Sequence, residues 1–199
     1  MIRCSWLIVL FAFAVLPVKA CGQGWSFGEA SQEWGAFSLG FASGLGAHEL
    51  GHYVAATSKG YNVGHDRFSI VYPGAAFTDA DHLQIASAGF QTQWMMAELA
   101  LRDRHGKELQ QSPGNFRAGV VCAHLGITLA YLTVLKDNKQ GDVAGMARAS
   151  KRSNDNIALV LAVPGALDAW RLFGNQVPGW VPQLSLLGKG LTMAWIWSY

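Results

Sequence analysis

The stretch His48-Glu49-Leu50-Gly51-His52 constrains this chain more than any other. It lies in an apolar run and predicts a helix with both histidines on one face, at i and i+4. Two imidazoles so spaced can bind one Zn²⁺. Glu49, beside the first, is placed to act as general base toward a zinc-activated water. Chance alone would produce such an HExxH string about 0.005 times in a chain of this histidine and glutamate content. An apolar helix has little reason of its own to hold His, Glu and His together.

HExxH supplies two ligands, whereas a catalytic zinc takes three from the protein and keeps one position open. The surroundings set where a third should be sought. The chain has 199 residues, 51% of them hydrophobic and only 14% charged, against roughly 25% charged in ordinary soluble domains. Apolar segments at 34–56, 83–101, 116–135, 157–173 and 183–197 predict a mainly α fold. The expected architecture is a multi-span membrane helix bundle, hence an integral, multi-pass protein in contact with the lipid bilayer. Glycines at 35, 40, 44, 46 and 51 fit this picture, because small residues let membrane helices approach closely. A net charge of +2 without a clustered basic face argues against a nucleic-acid partner.

The amino terminus carries Arg3, an apolar run from Trp6 to Val18, and Val18-Lys19-Ala20. Residues 1–20 read as a signal peptide or an uncleaved first membrane helix. Residues 21–33 read as a polar linker, and 34–199 as one membrane domain. Three cysteines, Cys4, Cys21 and Cys122, form neither a disulfide framework nor a CxxC metal site. Between Tyr61 and Phe77, Val63, Phe68, Ile70, Val71 and Tyr72 followed by Pro73-Gly74 predict a short β-hairpin or strand region after the HExxH helix. The stretch from Lys136 to Asn156 reads as a polar, partly helical connection.

The search for a third ligand favours Asp168. It follows Pro164-Gly165-Ala166-Leu167 in an apolar segment, and an intramembrane carboxylate is costly unless something holds it ionised. The competing reading is an Asp168–Arg171 ion pair at i, i+3 on a helix surface. His124, inside the 116–135 segment, fits a ligand, a proton shuttle or a packed polar residue. His65 and His82 fall at loop or helix ends, and Glu98 on a helix face.

These motifs resemble the site-2 protease family of intramembrane zinc metalloproteases. The likeness rests on His48-Glu49-Leu50-Gly51-His52 in one apolar helix and Leu167-Asp168 in a later one, with Ser87-Ala88-Gly89-Phe90 similar to the family's Ala-Gly-Pro region. It covers about residues 34–173, and its specificity rests mainly on the HELGH string. Phe90 stands where the family usually has Pro, and Ala169 where it usually has Gly. The resemblance implies zinc held by His48, His52 and Asp168, with Glu49 catalytic, and cleavage of peptide bonds in membrane-anchored proteins. The eroded motifs keep a rival open: a catalytically reduced membrane binding or assembly protein that retains a zinc site.

Overall fold

A computed structural model describes residues 24–27, 33–66, 69–102 and 114–199. The expected leader (1–20), most of the linker, Phe68 and most of the loop between 102 and 115 lie outside the described residues. Among the described residues the chain is mainly α, with six helices and one two-stranded hairpin. In order these are α1 (Trp34–Ser58), β1 (Gly64–Asp66), β2 (Ser69–Val71), α2 (Asp79–Arg102), α3 (Asn115–Thr133), α4 (Asp142–Ser150), α5 (Asn154–Phe173) and α6 (Trp180–Trp197).

Helix α1 buries Gly40, Gly44, His48, His52 and Ala56. Every fourth residue therefore faces inward, and the histidines continue a ridge of small residues. Glycine is required there by close backbone approach. A Cβ on Gly40 would stand 2.0 Å from the Phe116 carbonyl oxygen, and one on Gly119 of α3 would stand 2.1 Å from that of Phe37. Helix α1 is thereby seated on α3 and, further along, on α2, which draws both imidazoles into the bundle.

The strands pair antiparallel, with Gly64 opposite Val71 and His65 opposite Ile70. The Tyr72-Pro73-Gly74-Ala75 turn that follows is closed by Ala75 N–H donating to Tyr72 O at 3.2 Å. Its Gly74 adopts φ +71°, a conformation that favours glycine. Helix α2 then starts at Thr78, whose hydroxyl accepts from Asp81 N–H at 3.1 Å. Asp79 and Asp81 in its first turn and Arg102 in its last complement the helix dipole. Residues 83–90 of α2 are all buried, so this glutamine-containing helix packs inside the bundle.

The main core joins Leu83, Phe90 and Trp94 of α2 to Val143 and Met146 of α4, Ile157 and Leu161 of α5, and Ile196 of α6. The stretch expected to be a polar connection therefore contains a nine-residue buried helix. It ends where Lys151 turns left-handed, at φ 56°, and Arg152 N–H returns to Ala147 O at 3.0 Å. Helix α5 starts on the Ser153 hydroxyl, which accepts from Asn156 N–H, and runs through Pro164 as one helix.

Of the five apolar segments from which the membrane bundle was expected, two helices among the described residues, Asn115–Thr133 and Asn154–Phe173, are long and apolar enough to cross a membrane. The other three carry too many polar and small residues. Large apolar side chains lie on the surface as well as in the core, and charged ones lie inside. Leu39, Leu50, Leu99, Leu129, Leu159 and Leu191 are each more than half exposed, while Asp168, Lys189, His124 and Arg171 are buried.

Candidate metal centre

His48 and His52 project from the α1 ridge with 4% of each residue exposed. Their Nε2 atoms stand 3.2 Å apart. Asp142, the first residue of α4, completes a triangle: its Oδ2 lies 3.0 Å from His48 Nε2 and 3.2 Å from His52 Nε2. Among the described residues this is the group of three ligand-type side chains that could hold a metal ion. A tetrahedral ion with bonds of about 2.0–2.1 Å sets its ligand atoms about 3.3–3.4 Å apart. The three sides thus match three vertices of such a tetrahedron to within a few tenths of an ångström.

Hydrogen bonding points the same way. His52 Nδ1 lies 2.8 Å from the Ile85 carbonyl oxygen, which can only accept. Nδ1 therefore carries the proton, and in the neutral ring Nε2 presents a lone pair, the arrangement found behind metal-bound histidines. That lone pair faces the Asp142 carboxylate, itself an acceptor. Two acceptors at this distance require a cation between them, either a proton or a metal ion. Burial pushes the Asp142 carboxyl upward, but the His52 and His48 imidazoles outweigh it and hold the carboxyl well below the usual carboxylate range.

The other walls are close. Gly89 of α2 lies against both imidazoles: a Cβ there would be 2.5 Å from His52 Nε2 and 2.5 Å from His48 Cε1. The Ser87-Ala88-Gly89-Phe90 stretch singled out in the sequence thus lines the site, and the Phe90 ring packs edge-on against His48 at 5.5 Å. Glu49 is exposed on the neighbouring turn. Its charge acts on His52 and on Tyr72, whose phenol is pushed up by burial and then by the Asp142 and Glu49 carboxylates. Tyr131 of α3 reaches Asp142 from the other side, its Oη 3.4 Å from the Asp142 nitrogen.

Asp168, expected to supply the third ligand, is not part of this triangle; the carboxylate beside the two imidazoles is that of Asp142. Its carboxylate is fully buried and already engaged. Lys189 Nζ donates to Oδ2 at 2.5 Å, while Ser185 Oγ at 2.7 Å and Arg171 Nη1 at 3.0 Å donate to Oδ1. Arg171 and Lys189 also bind Glu98, at 2.6 Å each. Two carboxylates are balanced by two cations, so the cluster needs no metal. The i, i+3 pair with Arg171 exists, but inside the bundle. His124 belongs to this second cluster, with Nε2 3.4 Å from Asp168 Oδ2.

No family model, curated protein or solved structure matches the chain. The site is read from its own geometry.

Asp142 had a sequence signal, though a faint one. It follows Gly141 and opens Val143-Ala144-Gly145-Met146-Ala147, a run of small and apolar residues able to bury a short helix.

Proposed function

We propose that this protein is a membrane-embedded zinc metallopeptidase acting on membrane-anchored proteins, with His48, His52 and Asp142 as the metal ligands and Glu49 as the general base. The observation that carries the reading is the triangle of 3.0, 3.2 and 3.2 Å among His48 Nε2, His52 Nε2 and Asp142 Oδ2. Zinc is the metal suited to a His-His-carboxylate set with one open position. When bound, it would polarise a peptide carbonyl and lower the pKa of water to about 7.

The roles of the chain's own groups follow from where they sit. His52 is oriented by the Ile85 carbonyl, and Asp142 supplies the negative charge. Glu49 is on the same helix but exposed, outside the ligand set and free to accept a proton from the attacking water and return it to the leaving amine. The two-stranded hairpin beside α1 is the element to which a locally unwound substrate would add as a strand.

The membrane assignment rests on the exposed leucines, the buried charged groups and the two helices of spanning length. Exposed leucines on α1, α2, α3, α5 and α6 suit contact with lipid chains, and buried ion pairs suit a bundle interior. Alkaline carbonate washing should leave the protein in the membrane pellet.

The rival, a non-catalytic binding or assembly protein with a structural zinc, calls for a closed fourth position. What supports the catalytic form is Glu49, a general-base candidate one residue from the ligand His48. The deciding experiment compares wild type with Glu49→Gln, measuring zinc content and cleavage of a membrane-anchored reporter in cells. Retained zinc with cleavage reduced by about 10²–10⁴ or more supports the peptidase. Full function in Glu49→Gln would overturn it in favour of the binding protein.

A further inference from the structure

Helix α4 begins without a conventional cap. Its N-cap residue is Gly141, which has no side chain to satisfy the first backbone N–H groups. The Asp142 N–H is met instead from another helix, by Tyr131 Oη at 3.4 Å. The ring of Tyr131 is fixed on two sides. It packs on Phe90 at 5.2 Å and 67°, and its Cε1 is 3.2 Å from where a Cβ on Gly141 would be. The intervening loop is locked as well, by Gly141 N–H to Asn138 O at 2.8 Å and Gln140 N–H to Asn138 Oδ1 at 3.2 Å. Asp142 is thus delivered to the imidazoles by a short loop whose far end is held by the phenol.

We infer that Tyr131 is the positioning residue of the metal centre: its hydroxyl caps α4 in trans and fixes the Asp142 carboxylate opposite His48 and His52. This inference rests on the metal-site reading of the triangle. The phenol oxygen accepts the Asp142 N–H, so it acts on the carboxylate through the backbone of the same residue. A ligating carboxylate held in this way keeps its geometry, and losing such a support typically weakens metal affinity by about 10–100-fold. Phe90 links the two sides, since it touches both Tyr131 and His48. The ring therefore contributes packing, and only the hydroxyl contributes positioning.

The test separates these contributions in the full chain, purified in detergent, with zinc affinity measured by chelator competition. Tyr131→Phe keeps the ring on Phe90 and removes only the oxygen. It should bind zinc about 10–100-fold more weakly while the metal-free protein melts at nearly the wild-type temperature. The visible spectrum of the cobalt-substituted variant should change as well, because the carboxylate ligand is no longer fixed. Gly141→Ala presses on the ring without deleting the hydroxyl and should produce a smaller loss of affinity. Wild-type affinity and cobalt spectrum in Tyr131→Phe would overturn the inference. A Tyr131→Phe chain that no longer folds would assign the hydroxyl to folding and overturn it too. If wild type and Asp142→Ala take up equally little zinc, the metal-site reading itself fails. Zinc lost in Asp142→Ala but unchanged in Tyr131→Phe would sink this inference alone.

Discussion

Gly89 on α2 and His52 on α1 are in direct contact, so close that a Cβ on the glycine would stand 2.5 Å from His52 Nε2, the atom that faces Asp142. The absence of a side chain at this point allows α2 to cover the imidazole pair without displacing Nε2 from His48 and Asp142. Because His52 Nδ1 is also bonded to Ile85 on the same helix, α2 both buries and orients the ring.

Gly89→Ala follows directly. Alanine is the better helix former by about 1 kcal/mol in a helix interior, so propensity alone would stabilise α2. The added methyl must instead displace an imidazole. The expected outcome is a folded protein with zinc affinity reduced on the order of tenfold or more, read by chelator competition beside a thermal melt. An unchanged affinity would mean that α2 moves away without disturbing the ligands.

Asp142→Ala removes one corner of the triangle and should abolish stoichiometric zinc binding. The same substitution deletes the acceptor shared by His48 and His52, so the metal-free protein should also lose stability. Zinc content by elemental analysis of the purified variant is the check. Retention of one zinc per chain would return the third ligand to some other residue.

The pair of histidines was legible because HExxH encodes its geometry locally: four residues are one helical turn, whatever surrounds the helix. The strand region was legible from Val63, Ile70, Val71 and Tyr72, β-favouring residues that the Pro73-Gly74 turn brings to an end. The third ligand depended on tertiary contacts, and there the argument from burial cost misled. A carboxylate in an apolar segment does need compensation, which for Asp168 comes from Lys189 on α6 and Arg171 on its own helix. Asp142 carries less of that signal. Its helix lies in a stretch with Lys136, Lys139, Arg148, Lys151 and Arg152, and its burial is achieved by small residues that score weakly as hydrophobic.

Acid sensitivity should arise where α1 meets α2. Lys59 Nζ donates to Asp81 Oδ1 at 2.6 Å and Tyr61 Oη to Asp81 Oδ2 at 2.9 Å, and the lysine first, then the tyrosine, hold the Asp81 carboxyl below its usual 3.8. A group depressed by folding contributes stability above its unfolded pKa and loses it as pH falls through the folded one. The contribution should therefore be intact at neutral pH and fade below about pH 4. As the pair is partly solvated, about 1 kcal/mol or less is expected. Thermal midpoints between pH 3 and 7 should fall less steeply at the acid end in Asp81→Asn than in wild type. Parallel curves would show that the clamp adds nothing.

Asp168→Ala provides the counterpart to Asp142→Ala, because the two carboxylates sit in clusters of opposite logic. Removing Asp168 takes a carboxylate from the buried Lys189 and Arg171, which keep their ion pairs to Glu98, and breaking a buried ion pair in this way costs about 3–5 kcal/mol. The thermal midpoint should drop sharply, while zinc affinity measured below that midpoint stays near wild type. Asp168→Leu combined with Lys189→Met should recover part of the lost stability, since it removes one charge of each sign and leaves Arg171 paired with Glu98. An Asp168→Ala protein that folds normally but binds no zinc would contradict both halves of this expectation. It would make Asp168 a ligand and require α5 to approach α1 by a route other than the one seen here.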